Sequence, residues 1–189
     1  MKAEKVAVGI WKFFKGPGLS SNVYFIEPST LVDLGSRENS GLLKARLSSL
    51  GYKASDIKKI IYTHFHYDHV GNPKDFPNAK FYASKEEIED LKKKKYLAVF
   101  SFKAFLSIRK LKILPIKGSK ELEVIKTPGH TRGSICLFHK KNKILFSGDT
   151  LFDFGTIGRT DLPTSVPEKM GESLRKLEKY KYKKLCPGH

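Results

Sequence analysis

The chain reads as an α+β protein in which two β-sheets pack together and helices cover them from outside. Three observations carry this. Short apolar, β-branched stretches recur along the 189 residues, each bounded by turn residues. Helical stretches with their own start signals fall between two groups of these strands, giving the order strand-rich, helix, strand-rich, helix. Hydrophobic residues make up 40% of the chain, enough to bury the core of one domain spanning 1–189.

In order, "KVAVGIWKFF" (5–14), "NVYFIEP" (22–28) and "TLVDLG" (30–35) read as strands. Gly16, Pro17, Gly18 and Pro28 supply the turns between them. "SGLLKARLSSLG" (40–51) spaces its leucines as a helix does and stops at Gly51. "KKIIYT" (58–63) and "AKFYAS" (79–84) are further strands. Ser84 then opens "SKEEIEDLKK" with Glu87 three residues on, a capping box. "YLAVFSFKAFLSIRKL" (96–111) reads as helical: an outer helix, a substrate wall or a dimer surface. "KELEVIKTP" (120–128), "GSICLFHK" (133–140) and "KILFSGD" (143–149) are three more strands. Ser165 opens a last helix with Glu168 at the capping-box position, and "YKKLCPGH" (182–189) closes as a strand and a turn.

Composition narrows the class of function. Net charge is +17, which raises nucleic acid as a partner. The excess is mostly lysine, spread through the chain, and lysine enrichment with few Met and Cys also fits a protein from a hot environment. An anionic small molecule is the better expectation, and nucleic acid is unlikely. No apolar run reaches the length of a membrane span, and the start lacks a signal peptide's apolar stretch, so a cytoplasmic protein is expected. Cys136 and Cys186 are too isolated for a disulfide framework and read as packing residues, with Cys186 near enough to the last histidine to lie by a site.

The chemistry concentrates in "THFHYDHVGN" (63–72), which places His64, His66, Asp68 and His69 within six positions. Histidines two apart point the same way in an extended segment. Asp68 and His69 follow where the chain must turn. Imidazole and carboxylate donors suit zinc, iron or manganese. Two more histidines, His130 in "TPGHT" and His189 in "CPGH", each follow a Pro-Gly turn, while His139 beside "KKNK" reads as a surface residue. Asp149 ends an apolar strand in "LFSGDT", where it could cap the turn or join a metal site.

"THFHYDHVGN", "TPGHT", "SGDT" and the final "PGH", in that order, resemble the ligand set of the metallo-β-lactamase superfamily. The resemblance runs from Asp33 in "LVDLG" to His189. It implies a four-layer αββα sandwich. It also implies two divalent metal ions, zinc first, with iron or manganese as alternatives. Position by position, His64, His66 and His130 would hold one metal, Asp68, His69 and His189 the second, and Asp149 would bridge. His66 stands where the di-iron oxygen-reducing branch carries Glu, which argues against that branch.

"GRTDLP" (158–163) resembles the glyoxalase II-related branch, which holds small thioester hydrolases and persulfide dioxygenases. The expected function is hydrolysis of a small, anionic thioester by a metal-bound hydroxide, with Asp68 assisting. A thiol with a pKa of about 8.5 leaves as thiolate without a general acid. Full-length glyoxalase II adds a helical domain that grips glutathione, so another thiol carrier is expected here. Arg159 either pairs with Asp161 to brace the loop or meets a substrate carboxylate. Tyr67 either packs beside the site or donates to a carbonyl oxygen, as a lactonase would require. The alternatives are an iron persulfide dioxygenase using His64, His130 and Asp149, a lactonase, and a nuclease. Oligomeric state, monomer or homodimer, is left open.

Overall fold

The computed structural model describes residues 1–14 and 20–189, so the Gly16–Gly18 turn lies outside the described residues. Among the described residues, eleven strands form two sheets. The larger takes β1 (Lys2–Ala7), β2 (Ile10–Phe14), β3 (Val23–Ile26), β4 (Thr30–Val32), β5 (Lys59–Ile61), β6 (Lys80–Ala83) and β7 (Ile113–Pro115) in chain order. Its strands are antiparallel as far as β4 and parallel from β4 to β7. The smaller sheet runs β11 (Lys184–Pro187), β10 (Ile144–Gly148), β9 (Ile135–His139), β8 (Leu122–Lys126), with β10 and β11 parallel.

Period-two alternation sorts each strand's side chains between layers. Tyr24, Val32 and Ile61 of the large sheet meet Ile135, Leu137, Phe146 and Cys186 of the small one in the core between the sheets. Their neighbours Phe25, Leu31 and Ile60 face outward, under α1 (Ser40–Ser49), α3 (Lys85–Lys94) and α4 (Phe102–Ile108). On the far side, Cys136 and Leu145 pack against Leu177 of α5 (Pro167–Leu177). Three cores between four layers make this the αββα sandwich. Among the described residues, no helix is long and apolar enough to cross a membrane.

Several local readings are corrected. "KVAVGIWKFF" is not one strand. Gly9, at φ +72°, reverses the chain, and β1 folds back on β2. β7 is a strand the sequence reading lacks, since only Ile113 and Leu114 are β-forming there, between Lys112 and Pro115. The 96–111 stretch is not one helix but a single turn at Lys95–Ala98 followed by α4. Ser101 is extended there and caps α4 by accepting the Ala104 N–H at 3.3 Å, and Phe100 sits at φ +54°. Ser84 does cap α3, accepting the Glu87 N–H at 3.1 Å, but the Glu87 carboxylate turns elsewhere. Ser165 does not cap α5: its hydroxyl donates to the His130 carbonyl at 2.8 Å, and Pro167 opens the helix. His139 is buried rather than exposed, its Nδ1 accepting the Asn142 N–H at 3.3 Å.

Candidate metal centre

One rim of the sandwich gathers the chemistry. Asp33 follows strand β4, β5 leads into His64 and His66, and the short helix α2 (Tyr67–Val70) carries Asp68 and His69. The β8–β9 loop brings His130, Asp149 follows β10, and His189 follows β11. The rim is stitched by backbone hydrogen bonds: Ile135 N–H to Thr63 O at 3.1 Å, Gly188 N–H to Gly148 O at 2.8 Å and Asn22 N–H to Gly188 O at 2.6 Å.

All seven expected ligand residues come together. The donor atoms of His64, His66 and His130 lie within 4.8 Å of one another, as do those of His64, His69 and Asp149, and those of Asp68, His69 and His189. His66 Nδ1 and His130 Nε2 are 2.9 Å apart. Asp149 lies between the groups, its Oδ1 3.2 Å from His69 Nε2 and its Oδ2 3.5 Å from His130 Nε2. His189 Nε2 is 3.1 Å from Asp68 Oδ2.

Each buried ring commits one nitrogen to the protein and leaves the other facing inward. His69 Nδ1 donates to Asp33 Oδ2 at 2.9 Å, and His130 Nδ1 donates to the Arg159 carbonyl at 2.7 Å. The Thr63 hydroxyl donates to Asp33 Oδ2 at 2.8 Å, so it is an acceptor for His64 Nδ1 at 3.2 Å. His66 Nε2 meets Thr164 Oγ1 at 3.0 Å. These bonds fix tautomer and ring plane, as partners of metal-bound histidines do. The inward atom His64 Nε2 is buried with no hydrogen-bond partner, and His69 Nε2 and Asp149 Oδ1, also buried and making no hydrogen bond, face each other at 3.2 Å. Buried bare donors are costly unless something binds them, and three converging on one space are what a cation would satisfy.

Electrostatics agree. Burial, reinforced by the neighbouring rings, holds His64 well below the ordinary histidine pKa and takes His66 to about 3. Neutral imidazole is the ligating form. Burial pulls His69 down too, but the carboxylates of Asp149, Asp33 and Asp68 outweigh it and hold the ring well above its usual value. Burial works against the Asp149 carboxylate, yet His69 and the other histidines keep its pKa low. Without a metal, a proton on His69 supplies the positive charge.

The other expected residues fall further out. Arg159 and Asp161 form a bidentate pair at 2.9 and 2.8 Å on the surface, and it is the Arg159 carbonyl that touches a site histidine. Tyr67 is half-buried and packs against the core under the outer helices, with Asp68 and Glu38 as its charged neighbours. Sequence reasoning gave Asp33 no role beyond opening the resemblance, yet it anchors His69 and also accepts the Thr63 N–H at 2.8 Å, from a left-handed backbone at φ +57°. It follows an apolar strand just as Asp149 does, so the same signal was available. Phe100 and Phe152 were missed as well. Their rings lie 4.9 Å from His66 and 6.0 Å from His189, one at each end of the cluster.

The family model described as the metallo-beta-lactamase superfamily matches residues 16–189. A probable metallo-hydrolase of Methanocaldococcus jannaschii is 35% identical over 92% of this chain and 89% of its own length. A hydroxyacylglutathione hydrolase of Prochlorococcus marinus is 31% identical over 64% of this chain, which spans 46% of that enzyme. Among solved structures, that of TTHA1623 in a di-iron-bound form superposes with a TM-score of 0.72 at 25% identity, covering 94% of this chain and 91% of that one. The ligand cluster, the αββα layers and a family match from residue 16 to the last histidine agree: this chain belongs to the metallo-beta-lactamase superfamily.

Proposed function

We propose that the protein is a metal-dependent hydrolase of small thioesters. The single observation behind this is the row of buried inward-facing donors, His64 Nε2, His69 Nε2 and Asp149 Oδ1, none of which makes a hydrogen bond and the last two of which face each other at 3.2 Å. In this reading His64, His66 and His130 hold one cation, Asp68, His69 and His189 hold a second, and Asp149 lies between; zinc is the first choice. Bound there, two divalent cations would lower the pKa of a shared water and polarise the substrate carbonyl.

The rest falls to the chain. Asp68, a part-exposed carboxylate beside His189, would keep one oxygen for the cation and offer the other to the attacking water's proton. Phe100 and Phe152 flank the opening and give an acyl group apolar walls. The side chains that hydrogen-bond to or stack on the cluster are Asp33, Thr63, Thr164 and these two phenylalanines. Outside the ligand set, Asp33 is already engaged three times and none of the others is an acid, so only Asp68 could return a proton to an amine. A thiolate leaves without such help, which favours a thioester over an amide. The hydroxyacylglutathione hydrolase relative supports the same substrate class. The thiol carrier is read as an anionic one, which would have to draw Arg159 away from its pair with Asp161 to meet it.

The test is metal quantification on the purified protein together with a hydrolysis panel of thioesters, lactones and phosphodiesters under an oxygen electrode. Two metals per chain and thioester turnover without oxygen uptake are expected. One iron with oxygen consumed on a glutathione persulfide would overturn the proposal in favour of a dioxygenase.

A further inference from the structure

Helix α3 carries one internal charge that the proposed chemistry does not use. Glu87 is 3% exposed and touches none of the seven ligand residues. Its Oε2 accepts the Phe65 N–H at 2.9 Å, and its Oε1 accepts the Thr131 hydroxyl at 2.5 Å. Phe65 stands between His64 and His66, and Thr131 directly follows His130. Those three histidines form one of the two outer groups of the cluster, yet they come from different sheets. One loop follows β5 of the large sheet. The other joins β8 to β9 of the small sheet. A single carboxylate therefore ties together the two loops that must converge for that group to exist.

The surroundings are built for this contact. Ser84 caps α3 and donates to the Gly133 carbonyl at 2.6 Å, holding the second loop against the start of the helix. A Cβ on Gly133 would come within 2.5 Å of the Glu87 nitrogen and 2.7 Å of Ser84 Oγ, so only glycine allows that approach. From outside, Arg132 grips Asp90 at 2.8 and 3.0 Å and the Glu86 carbonyl at 3.0 Å. Burying a carboxylate costs free energy, and burial pushes the Glu87 pKa up to about 7 despite the donors around it.

We propose that Glu87 is the positioning residue of the His64–His66–His130 half-site, locking Phe65 and Thr131 so that the three imidazoles converge before a cation arrives. The inference rests on reading the cluster as a metal centre. It concerns assembly of one half-site, not proton transfer. Glu87→Ala frees both loops. Glu87→Gln keeps a carbonyl for the Phe65 N–H, while the Thr131 hydroxyl can turn to Ser134 Oγ, 2.8 Å away. The glutamine variant should therefore lie between wild type and alanine.

The experiment titrates metal-free protein with zinc, and with cobalt as a spectroscopic probe, against a chelator of known affinity. It uses wild type, Glu87→Ala, Glu87→Gln and Leu91→Ala. The last removes a buried apolar side chain from the same helix and serves as a stability control. The series is repeated in a His189→Ala background, where only the first half-site keeps all its histidines. Glu87→Ala should weaken cation binding about 10- to 100-fold in both backgrounds and change the cobalt d–d bands. Glu87→Gln should lose less, and Leu91→Ala should bind as wild type despite a lower Tm. Should Glu87→Ala fail to fold, Glu87→Gln carries the same test through affinity and cobalt spectrum. Unchanged affinity in the Glu87 variants, or an equal loss in Leu91→Ala, overturns the inference alone. A wild type that takes up neither metal overturns the metal reading, and the inference with it.

Discussion

Asp149 is the residue on which the two halves of the cluster depend, since its oxygens face His69 on one side and His130 on the other. Asp149→Ala should abolish hydrolysis and lower metal content, measured by turnover and by metal analysis of the same preparation. Full activity in that variant would exclude a site built across Asp149. Gly188 is equally constrained for a steric reason: any Cβ there would collide with Asp149 Oδ1 and crowd His69. Gly188→Ala should fold, because the glycine lies at the rim beyond β11, but should retain less than about a tenth of wild-type metal affinity, a loss in the range seen when the partners of metal ligands are disturbed. The proton held on His69 by its three carboxylates gives a third expectation. A cation must displace it, so calorimetric titration in buffers of different ionisation enthalpy should show protons released on binding. A heat independent of buffer would contradict this.

At the scale of elements, alternation along the strands does most of the sorting. Phe146 is fully buried between the sheets, edge-on to Tyr24 with ring centroids 5.1 Å apart. Phe146→Ala should cost about 3–5 kcal/mol of stability by thermal or denaturant unfolding. Patterns of this kind made the layered class legible in the sequence. "KILFSGD" alternates between two cores and its Asp149 enters the site, while "THFHYDHVGN" names four of the clustered residues outright. What stayed hidden depends on tertiary partners. Glu87 read as a local cap because its real partners, Phe65 and Thr131, lie 22 and 44 positions away in sequence. Phe100 read as part of a helix because nothing local reveals that Ser101 would cap a new one. Strand β7 offers only Ile113 and Leu114 before Pro115, and it is a strand through its pairing with β6; His139 read as exposed because lysines follow it, whereas strand pairing places it inside.

For the molecule as a whole, the buried charges set how stability follows pH. Glu87 has a folded pKa of about 7 against an ordinary 4.5, so the folded state holds its proton longer than the unfolded chain. Its contribution is fully present below pH 4.5 and is lost as pH rises to 7. Glu87→Gln lacks that loss. The stability of metal-free wild type minus that of the variant should therefore fall across this window, read from denaturant midpoints. A difference that rises or stays flat would contradict it. His66, at about 3 against an ordinary 6.5, acts in the opposite sense, its contribution being lost as pH falls from 6.5 toward 3. The net charge of +17 comes mostly from lysines spread through the sequence, so any RNA retention should vanish steeply with added salt. The placement of the cluster has a further consequence. Its donors follow strands of both sheets, and they meet at one rim while the three apolar cores lie within. A cation there would close a seam. Stripping it should let amides around Phe65, His130 and Gly188 exchange faster while those of Leu31, Ile60 and Leu145 keep their protection, so that the sandwich gapes along one lip and stays shut everywhere else.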